Sequence, residues 1–406
     1  MSTFSITSLF PFRRVKIDDF IKVEDPNLGS VYYVVLSPDM RFNPVCYECD
    51  SEADGIHSWH QRTIRDLDLM GSKCKLIHYY RKIKCPNCGI KVEKNNVTAP
   101  GGHHVTKRMA RYIHKLCENM TVKETAEHLD LHWETVKKIH QKFLEKEFGE
   151  TDYDHSGYLA VDEISFGKFH KYLTVVLDFK TGRVIWLGKD RKAKTLDKFF
   201  SNMPKEKLQK IEAVAMDMWD PYIKAVRKHN PQARIVFDKY HLIASYNREV
   251  IDEVRRAEQR NKDKDNPEYD IYKGNRWLLL YNPENLDKKQ KAELNKLLEI
   301  NENISIAYIL RDELKSLFEI QDPLKMNKAL EEFIKKARSS GIKALIKFTK
   351  KLKRYWYGIV NFAIHSIHTS ILEGVNNKIK EIKRSAFGFH DFNYFSLKVK
   401  QSYPGN

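Results

Sequence analysis

The spacing of hydrophobic residues changes three times along the chain. Up to about residue 100, short apolar runs alternate with Gly, Pro and Asn, which predicts a small β module with a leading arm. From Val105 to about Phe148 the spacing is helical. After residue 157 strand-like runs alternate with segments of helical spacing, as is typical of an α/β unit. The strand-like runs are Val31–Leu36, Thr63–Leu69, Lys75–Lys84, YLAVDEISF, YLTVVLDF, RVIWLG, IEAVAMDM and ARIVFD.

A long segment from about Ile243 to Tyr357 has helical spacing almost throughout, and one further helix is predicted after it. On that last helix the apolar face is formed by Leu372, Val375, Ile379 and Ile382. The opposite face carries an acid, an amide and two cations, which are Glu373, Asn377, Lys380 and Arg384.

Length and charge limit the classes of function. The chain has 406 residues, which at about 150 residues per domain predicts two or three folded units. Its formal net charge of +17 favours a polyanionic partner, and nucleic acid is the first candidate. No apolar run approaches the roughly 18 residues of a membrane span, and the N-terminus does not have the order of a signal peptide. We therefore expect a cytoplasmic protein without a membrane partner.

Two Cys-x-x-Cys pairs predict a structural zinc site. Each pair can offer two thiolates to one tetrahedral Zn²⁺ from a tight turn, and their separation suits a zinc ribbon; the four ligands would be Cys46, Cys49, Cys85 and Cys88. A redox dithiol, the alternative, would need one pair only. His57 and His60 could also be ligands but are expected at the surface, and Cys74 and Cys117 are expected to be ordinary thiols.

The segment of helical spacing between residues 105 and 148 predicts a helix-turn-helix. A basic first helix is followed by the capping box Thr121-Val-Lys-Glu124, and another helix starts near His132. That helix would enter the major groove of DNA, although an ordinary packing unit of three helices has the same pattern. The candidate DNA contacts are Lys107, Arg108, Arg111, Thr135, Lys137 and Lys138.

Three carboxylates are candidate metal ligands, and two of them lie in or at the end of apolar strands, where acids are costly unless they are paired or bind metal. Asp162 lies inside an apolar strand, Asp217 ends another, and Glu373 lies on the last amphipathic helix. Three convergent carboxylates can hold two Mg²⁺ (or Mn²⁺) ions for phosphodiester chemistry. Asp220 and Asp238 are close rivals near the same strand ends, whereas alternation turns Glu163 to the other face and Asp178 is expected in a hairpin.

Several of these motifs, in this order, resemble the transposases of the bacterial insertion sequence L-three family. The resemblance rests on VDEISF, YLTVVLDFKTGRVIW, AVAMDMWDPYIKAV, RIVFDKYHLI and SILEGVNNKIKEIKRSAFGF, together with the paired Cys-x-x-Cys motifs and the helix-turn-helix. It implies an RNase H-like catalytic domain with Asp162, Asp217 and Glu373 as its DDE triad and a helical insertion before the Glu. It also implies that the first and fourth strands are neighbours.

The expected architecture is multidomain α+β. We expect a zinc-ribbon DNA-binding module (1–100), a helix-turn-helix (101–150), and a catalytic core in two parts (151–245 and 356–406) around a helical insertion (246–355). The expected function is transposition: the protein would bind terminal inverted repeats, cut 3′ ends with Mg²⁺ and transfer them to target DNA, in the cytoplasm at the nucleoid and as a homodimer.

Further DNA contacts are expected from Asn377, Lys380 and Arg384, while Trp219 could stack on an unpaired base or pack in the core. Alternatives for the function are a nuclease of the same fold without strand transfer and a domesticated DNA-binding regulator without chemistry.

Overall fold

The computed structural model describes residues 6–26, 29–99, 103–167, 171–262, 269, 275–367, 370–386, 389 and 391–405. The chain divides into two compact units, Met1–Glu150 and Thr151–Asn406, called here the N-terminal and C-terminal units. Among the described helices, none combines the length and the apolar character needed to cross a membrane.

A five-stranded sheet forms the first part of the N-terminal unit, in the order β1-β2-β4-β3 with β5 paired to β4. β2 and β4 are parallel, and the other pairs are antiparallel. The expected leading arm is in part a strand, β1, whose charged residues are typical of a sheet edge and hide its strand character. The strands are β1 Val15–Asp25, β2 Gly29–Pro38, β3 Gly55–Leu69, β4 Ser72–Cys85 and β5 Gly89–Val92.

Three helices complete this unit: α1 Lys107–Asn119, α2 Val122–Leu129 and α3 Trp133–Phe148. The Thr121 hydroxyl accepts from the Glu124 backbone N–H and the Glu124 side chain accepts from the Thr121 backbone N–H, so the predicted capping box is confirmed. α3 begins at Trp133, with His132 as its N-cap, as the sequence indicates.

A buried ion pair ties α1 to β3. Asp66 is fully buried, and its Oδ1 accepts from Arg108 Nε at 2.8 Å and from the Thr106 hydroxyl at 2.7 Å. The Arg108 guanidinium also donates to the Leu9 carbonyl and lies over the ring of Phe10. Arg108 was expected to contact DNA, but its donors are directed to the protein interior because a buried carboxylate requires a partner.

The C-terminal unit is built on a mixed sheet in the order β10-β9-β6-β7-β8. β6, β9 and β10 are parallel to one another, whereas β7 is antiparallel to both β6 and β8. Burial of every residue in β9 explains its continuous apolar run. The strands are β6 Tyr158–Gly167, β7 Lys171–Asp178, β8 Val184–Lys189, β9 Ala213–Met216 and β10 Arg234–Phe237.

Helices flank this sheet and make up most of the described chain between β10 and the last helices. α7 runs without interruption through a π-helical turn, Asn247–Ile251, into α8. The helices are α4 Ala193–Asn202, α5 Lys205–Gln209, α6 Asp220–His229, α7 Lys239–Tyr246, α8 Asp252–Arg260, α9 Lys288–Ile300, α10 Glu302–Ser316, α11 Pro323–Ser339, α12 Lys343–Arg354, α13 Trp356–His365, α14 Ser370–Ser385 and α15 Phe392–Ser402.

We expect Asp66→Ala to destabilise the N-terminal unit by about 3 kcal/mol or more, because the substitution removes the carboxylate that holds Arg108. The double substitution Asp66→Leu with Arg108→Met should cost less than Asp66→Ala, since it removes both charges and keeps apolar volume. The measurement is urea-dependent hydrogen exchange at peptides of α1.

Asp18→Ala is the matched control, because Asp18 belongs to an exposed pair with Lys16 at 3.4 Å. Its cost should stay below about 1 kcal/mol. An Asp66→Ala protein as stable as this control would show that the pair does not hold α1 to the sheet.

Candidate functional site

Three parallel strands bring one aspartate each into a row across the C-terminal sheet. Asp217 and Asp238 directly follow β9 and β10, which pair in parallel up to their last residues. Asp162 lies in β6, two positions beyond Ala160, and Ala160 pairs with Ala215 two positions before Asp217. The register therefore sets the three carboxylates in one row, at the carboxyl ends of β9 and β10 and beside the middle of β6. Open α/β sheets bind ligands at the carboxyl ends of their strands.

His241, in the first turn of α7, faces all three carboxylates. Its Nδ1 lies 3.3 Å from Oδ2 of Asp217, and its Nε2 lies 4.0 Å from Oδ1 of Asp162 and 3.7 Å from Oδ2 of Asp238. Asp238 also caps α7, since its Oδ1 accepts from the Tyr240 backbone N–H at 2.8 Å. The strand end and the helix start thus hold the imidazole ring over the row.

The charges of this cluster shift the pKa values of its members. The hydrogen bond to Asp217 raises the pKa of His241 to about 9, against the effect of burial. Burial by itself would raise the pKa of Asp217, but the hydrogen bond and charge of His241 lower it on balance. Burial raises the pKa of Asp162, and Asn376 and His241 oppose this only in part. At neutral pH His241 is therefore a cation among carboxylates.

The helix that carries Glu373 is anchored to the row by a neighbouring side chain. Asn376 of α14 donates from Nδ2 to Oδ2 of Asp162 at 2.7 Å. Glu373 lies one turn earlier on α14 and is exposed, and no residue in the described part of the chain bonds to its carboxylate. Because positions three apart are neighbours on a helix, Glu373 lies on the side of α14 that approaches Asp162.

The other polar residues predicted on α14 do not reach the row by any described contact. Asn377, Lys380 and Arg384 are exposed. The amide that contacts Asp162 is Asn376, although the sequence pattern had assigned the polar face to Asn377 and the two cations. Asn377, Lys380 and Arg384 remain candidates for phosphate contacts.

Glu163, Arg191 and Trp219 form a second polar group beside the row. Arg191 Nη1 lies 3.1 Å from Oε1 of Glu163, and its guanidinium carbon lies 5.3 Å from the centre of the Trp219 ring. Burial raises the pKa of Glu163, and Arg191 opposes that effect. The Trp219 side chain is 38% exposed, so part of its ring remains accessible.

Of the rival carboxylates, one belongs to the row and the other two have partners elsewhere. Asp220 pairs with Arg354, and Asp238 belongs to the row itself. Asp178 is buried at the end of β7, where it accepts from the Lys180 backbone N–H and the Thr181 hydroxyl, as expected of a hairpin residue. Beside Asp217, a cleft of about 420 Å³ extends to side chains of α7, the π-helical turn and α12.

A four-cysteine cluster lies in the N-terminal unit. The sulfur atoms of Cys46, Cys49, Cys85 and Cys88 all lie within 4.8 Å of one another. A tetrahedral zinc site with Zn–S bonds of about 2.3 Å has S–S edges of about 3.8 Å, so the donor set fits Zn²⁺. Cys85 ends β4 and Cys88 precedes β5, so this pair occupies the tip of a hairpin.

The other thiols and imidazoles lie outside this cluster. Cys74 and Cys117 are buried in hydrophobic cores, and burial raises the pKa of Cys74 to about 12. His57 is exposed, and His60 stacks on Tyr80. Both thiols therefore have the ordinary packing role that the sequence predicted.

The predicted helix-turn-helix contacts lie on α1 and α3. Arg111 and Lys138 are exposed, and Lys107, Thr135 and Lys137 are half-buried. Lys138 lies 4.0 Å from Glu134, so its charge is partly compensated on the helix surface.

Sequence reasoning assigned no role to His241, Asn376 or Arg191. A signal for His241 was present, because a capping acid followed three residues later by a histidine sets that ring above the acid's own strand end. Asn376 and Arg191 had no comparable signal, since each acts through a partner far away in the sequence.

Three family profiles match consecutive parts of the chain. Residues 43–88 match a zinc finger of the transposases of IS204, IS1001, IS1096 and IS1165, and residues 99–142 match the helix-turn-helix domain of transposase family ISL3. Residues 159–399 match the transposase domain of the ISL3, or insertion sequence L-three, family.

Two curated relatives extend the similarity to nearly the full chain. The transposase of insertion sequence element IS1001 from Bordetella parapertussis is 37% identical over 94% of this chain and 94% of its own length. The transposase of IS1557 from Mycobacterium tuberculosis is 25% identical over 93% of this chain and 90% of its own. The matches run through the cysteine cluster, the three helices and the carboxylate row, and the chain belongs to the ISL3 family of insertion-sequence transposases.

Proposed function

We propose that this protein binds the terminal inverted repeats of an insertion sequence, cleaves their 3′ ends and transfers them to target DNA. The convergence of Asp162 and Asp217 on one imidazole, next to the helix of Glu373, is the observation that carries the proposal. We also propose an RNase H-like catalytic domain, supported by the mixed sheet in which the first and fourth strands of the unit, β6 and β9, are neighbours.

The proposed catalytic residues are Asp162, Asp217 and Glu373, and they would hold Mg²⁺ or Mn²⁺. The donor set supports this assignment, because carboxylate oxygens are ligands that Mg²⁺ prefers. The buried Asn376 Oδ1 adds an amide oxygen that has no hydrogen-bond partner within the described residues. Bound metal would supply activation of the attacking oxygen and stabilisation of the leaving one.

The protein's own side chains prepare the site for the DNA phosphate. Asn376 orients Asp162 by donating to its Oδ2, and Asp238 orients His241 by capping α7. His241 offsets the negative charge of the row, which otherwise repels a phosphodiester.

DNA recognition is proposed for the N-terminal unit, with α3 in the major groove. The proposed contacts there are Lys107, Arg111, Thr135, Lys137 and Lys138, without Arg108, whose donors face Asp66. In the C-terminal unit the proposed contacts are Trp219, Asn377, Lys380 and Arg384.

The proposed organisation has a zinc-ribbon module (1–100), a helix-turn-helix (101–150), and a catalytic core in two parts (151–245 and 356–406) around a helical insertion (246–355). The proposed setting is the cytoplasm at the nucleoid, with a homodimer as the active assembly and double-stranded DNA as repeat and target.

We expect Asp162→Asn, Asp217→Asn and Glu373→Gln each to reduce Mg²⁺-dependent nicking of repeat-end DNA to the level seen without metal. Each change removes a ligand charge with little change in shape, so binding of the same DNA should be nearly unchanged. The measurement is a nicking assay and a binding assay on the same proteins.

Glu381→Gln is the matched control on the same helix, because Glu381 is exposed and pairs with Lys378 at 3.0 Å. This variant should cleave like the parent protein. Full activity of Glu373→Gln would remove Glu373 from the triad. Cleavage by the parent protein without joining of the 3′ end to target DNA would favour the nuclease, and absence of cleavage would favour the regulator.

We expect one zinc ion per chain, lost in the double variant Cys85→Ser with Cys88→Ser. A structural zinc contributes its binding energy to folding of the module that holds it, so the N-terminal unit should also lose stability. Metal analysis by mass spectrometry is the measurement, with Cys74→Ala as a control that should keep its zinc. Equal zinc content in the double variant and the parent would rule out the four-cysteine site.

A further inference from the structure

α12 carries more cations without an acid than any other described helix of the C-terminal unit, since α7 and α15, which also have no acid, carry one and two lysines. Its sequence KALIKFTKKLKR has six Lys or Arg and no acid. The other lysine-rich helices mix signs: α9 carries Glu293 and Glu299, and α11 carries Glu331 and Glu332. A solvated helix surface normally intersperses charges, so α12 requires another explanation.

Two depressions lie on opposite sides of α12. Lys351 lines the cleft that contains Asp217 and His241. Lys353 lines a second groove of about 530 Å³, together with Lys335 and Arg338 of α11. Residues two apart on a helix point about 200° away from each other, so α12 forms the ridge between the cleft and the groove.

The cations on the two sides differ in their partners. On the cleft side Lys351 pairs with Glu249 and Arg354 pairs with Asp220. The cations on the groove side and along the ridge have no acidic partner within the described part of the chain. They are Lys335, Arg338, Lys343, Lys347, Lys350 and Lys353. Charges left without partners on neighbouring helices repel one another, and a polyanion would relieve that repulsion.

We propose that the ridge of α12 and the adjoining groove, called here the basic ridge, bind the phosphate backbone of the DNA whose scissile phosphate enters the Asp217 cleft. This inference rests on the proposed function, because it assumes that DNA occupies that cleft. Twelve residues at 1.5 Å each make α12 about 18 Å long, which equals about five base pairs at 3.4 Å per step. DNA that runs along α12 beside the cleft therefore meets cations over about half a helical turn.

The contacts of the basic ridge would not read sequence. Lysine and arginine neutralise phosphates and fix the position of the duplex, whereas sequence is read by contacts to base edges. Glu331 also lines the groove. Its carboxylate accepts a hydrogen bond from the Asn327 side-chain amide at 3.4 Å, so it would stay at the rim of the groove.

The test compares two triple variants of the full chain that lose the same charge. Lys335→Ala, Arg338→Ala and Lys353→Ala remove the groove cations, while Lys288→Ala, Lys289→Ala and Lys291→Ala remove exposed lysines of α9. Binding to a repeat-end duplex and to a random duplex is measured from low to moderate salt. We expect the groove variant to lower the slope of log K against log salt by up to about 2.7, at about 0.9 per lost contact, on both duplexes. The α9 variant should keep the parent slope.

Lys353→Gln provides a milder variant, with an expected slope change of about 0.9, should the triple variant fold poorly. An unchanged slope in both groove variants would overturn the proposal, and loss of self-association with an unchanged slope would make the groove an interface between copies of the chain. The nicking assay with Asp217→Asn separates this proposal from the proposed function. If Asp217→Asn lacks cleavage while the groove variant binds like the parent, only the basic ridge is wrong. If the groove variant loses salt-dependent binding while the parent protein does not cleave, only the reaction is wrong.

Discussion

Three carboxylates in one row across a sheet repel one another, and the side chains around the row offset that repulsion. Unit charges about 4 Å apart interact by about 4 kcal/mol at an effective dielectric constant near 20, and by less where water enters. His241 lies within 4.0 Å of all three aspartates and offsets part of this energy. The metal ions proposed for this row would supply the same opposing charge that the acids already require.

The sequence revealed the two strand aspartates because apolar residues precede them, Leu159–Val161 in β6 and all of β9. Burial in β9 and in the middle of β6 makes Asp217 and Asp162 conspicuous, and the spacing of Leu372 and Ile379 fixed which face of α14 packs. The choice between Asn376 and Asn377 could not be made in this way. Neighbouring positions differ by only about 100° around a helix, and which of them meets β6 depends on the angle at which α14 approaches the sheet.

Arg108 illustrates a different limit of sequence reasoning. A basic residue at the start of a helix has the same local pattern whether it contacts DNA or a buried acid. The decision depends on Asp66, 42 positions away, whose burial follows from the pairing of β3 with β4. Such long-range partners are set by tertiary structure. The same holds for the charged segment Val15–Asp25, which the local pattern predicted to be an arm and which forms a strand in the structure.

The continuity of α7, the π-helical turn and α8 has a mechanical consequence. No loop interrupts the backbone between Lys239 and Arg260, so the histidine ring at one end and the helical segment at the other belong to a single rod. Midway along the rod, Glu249 is held by Lys351 of α12. Glu249 lies eight residues beyond His241, about 12 Å away at 1.5 Å per residue along the continuous helix. A displacement of α12 would therefore reach the imidazole through one ion pair and one helix, with no loop in between to absorb it.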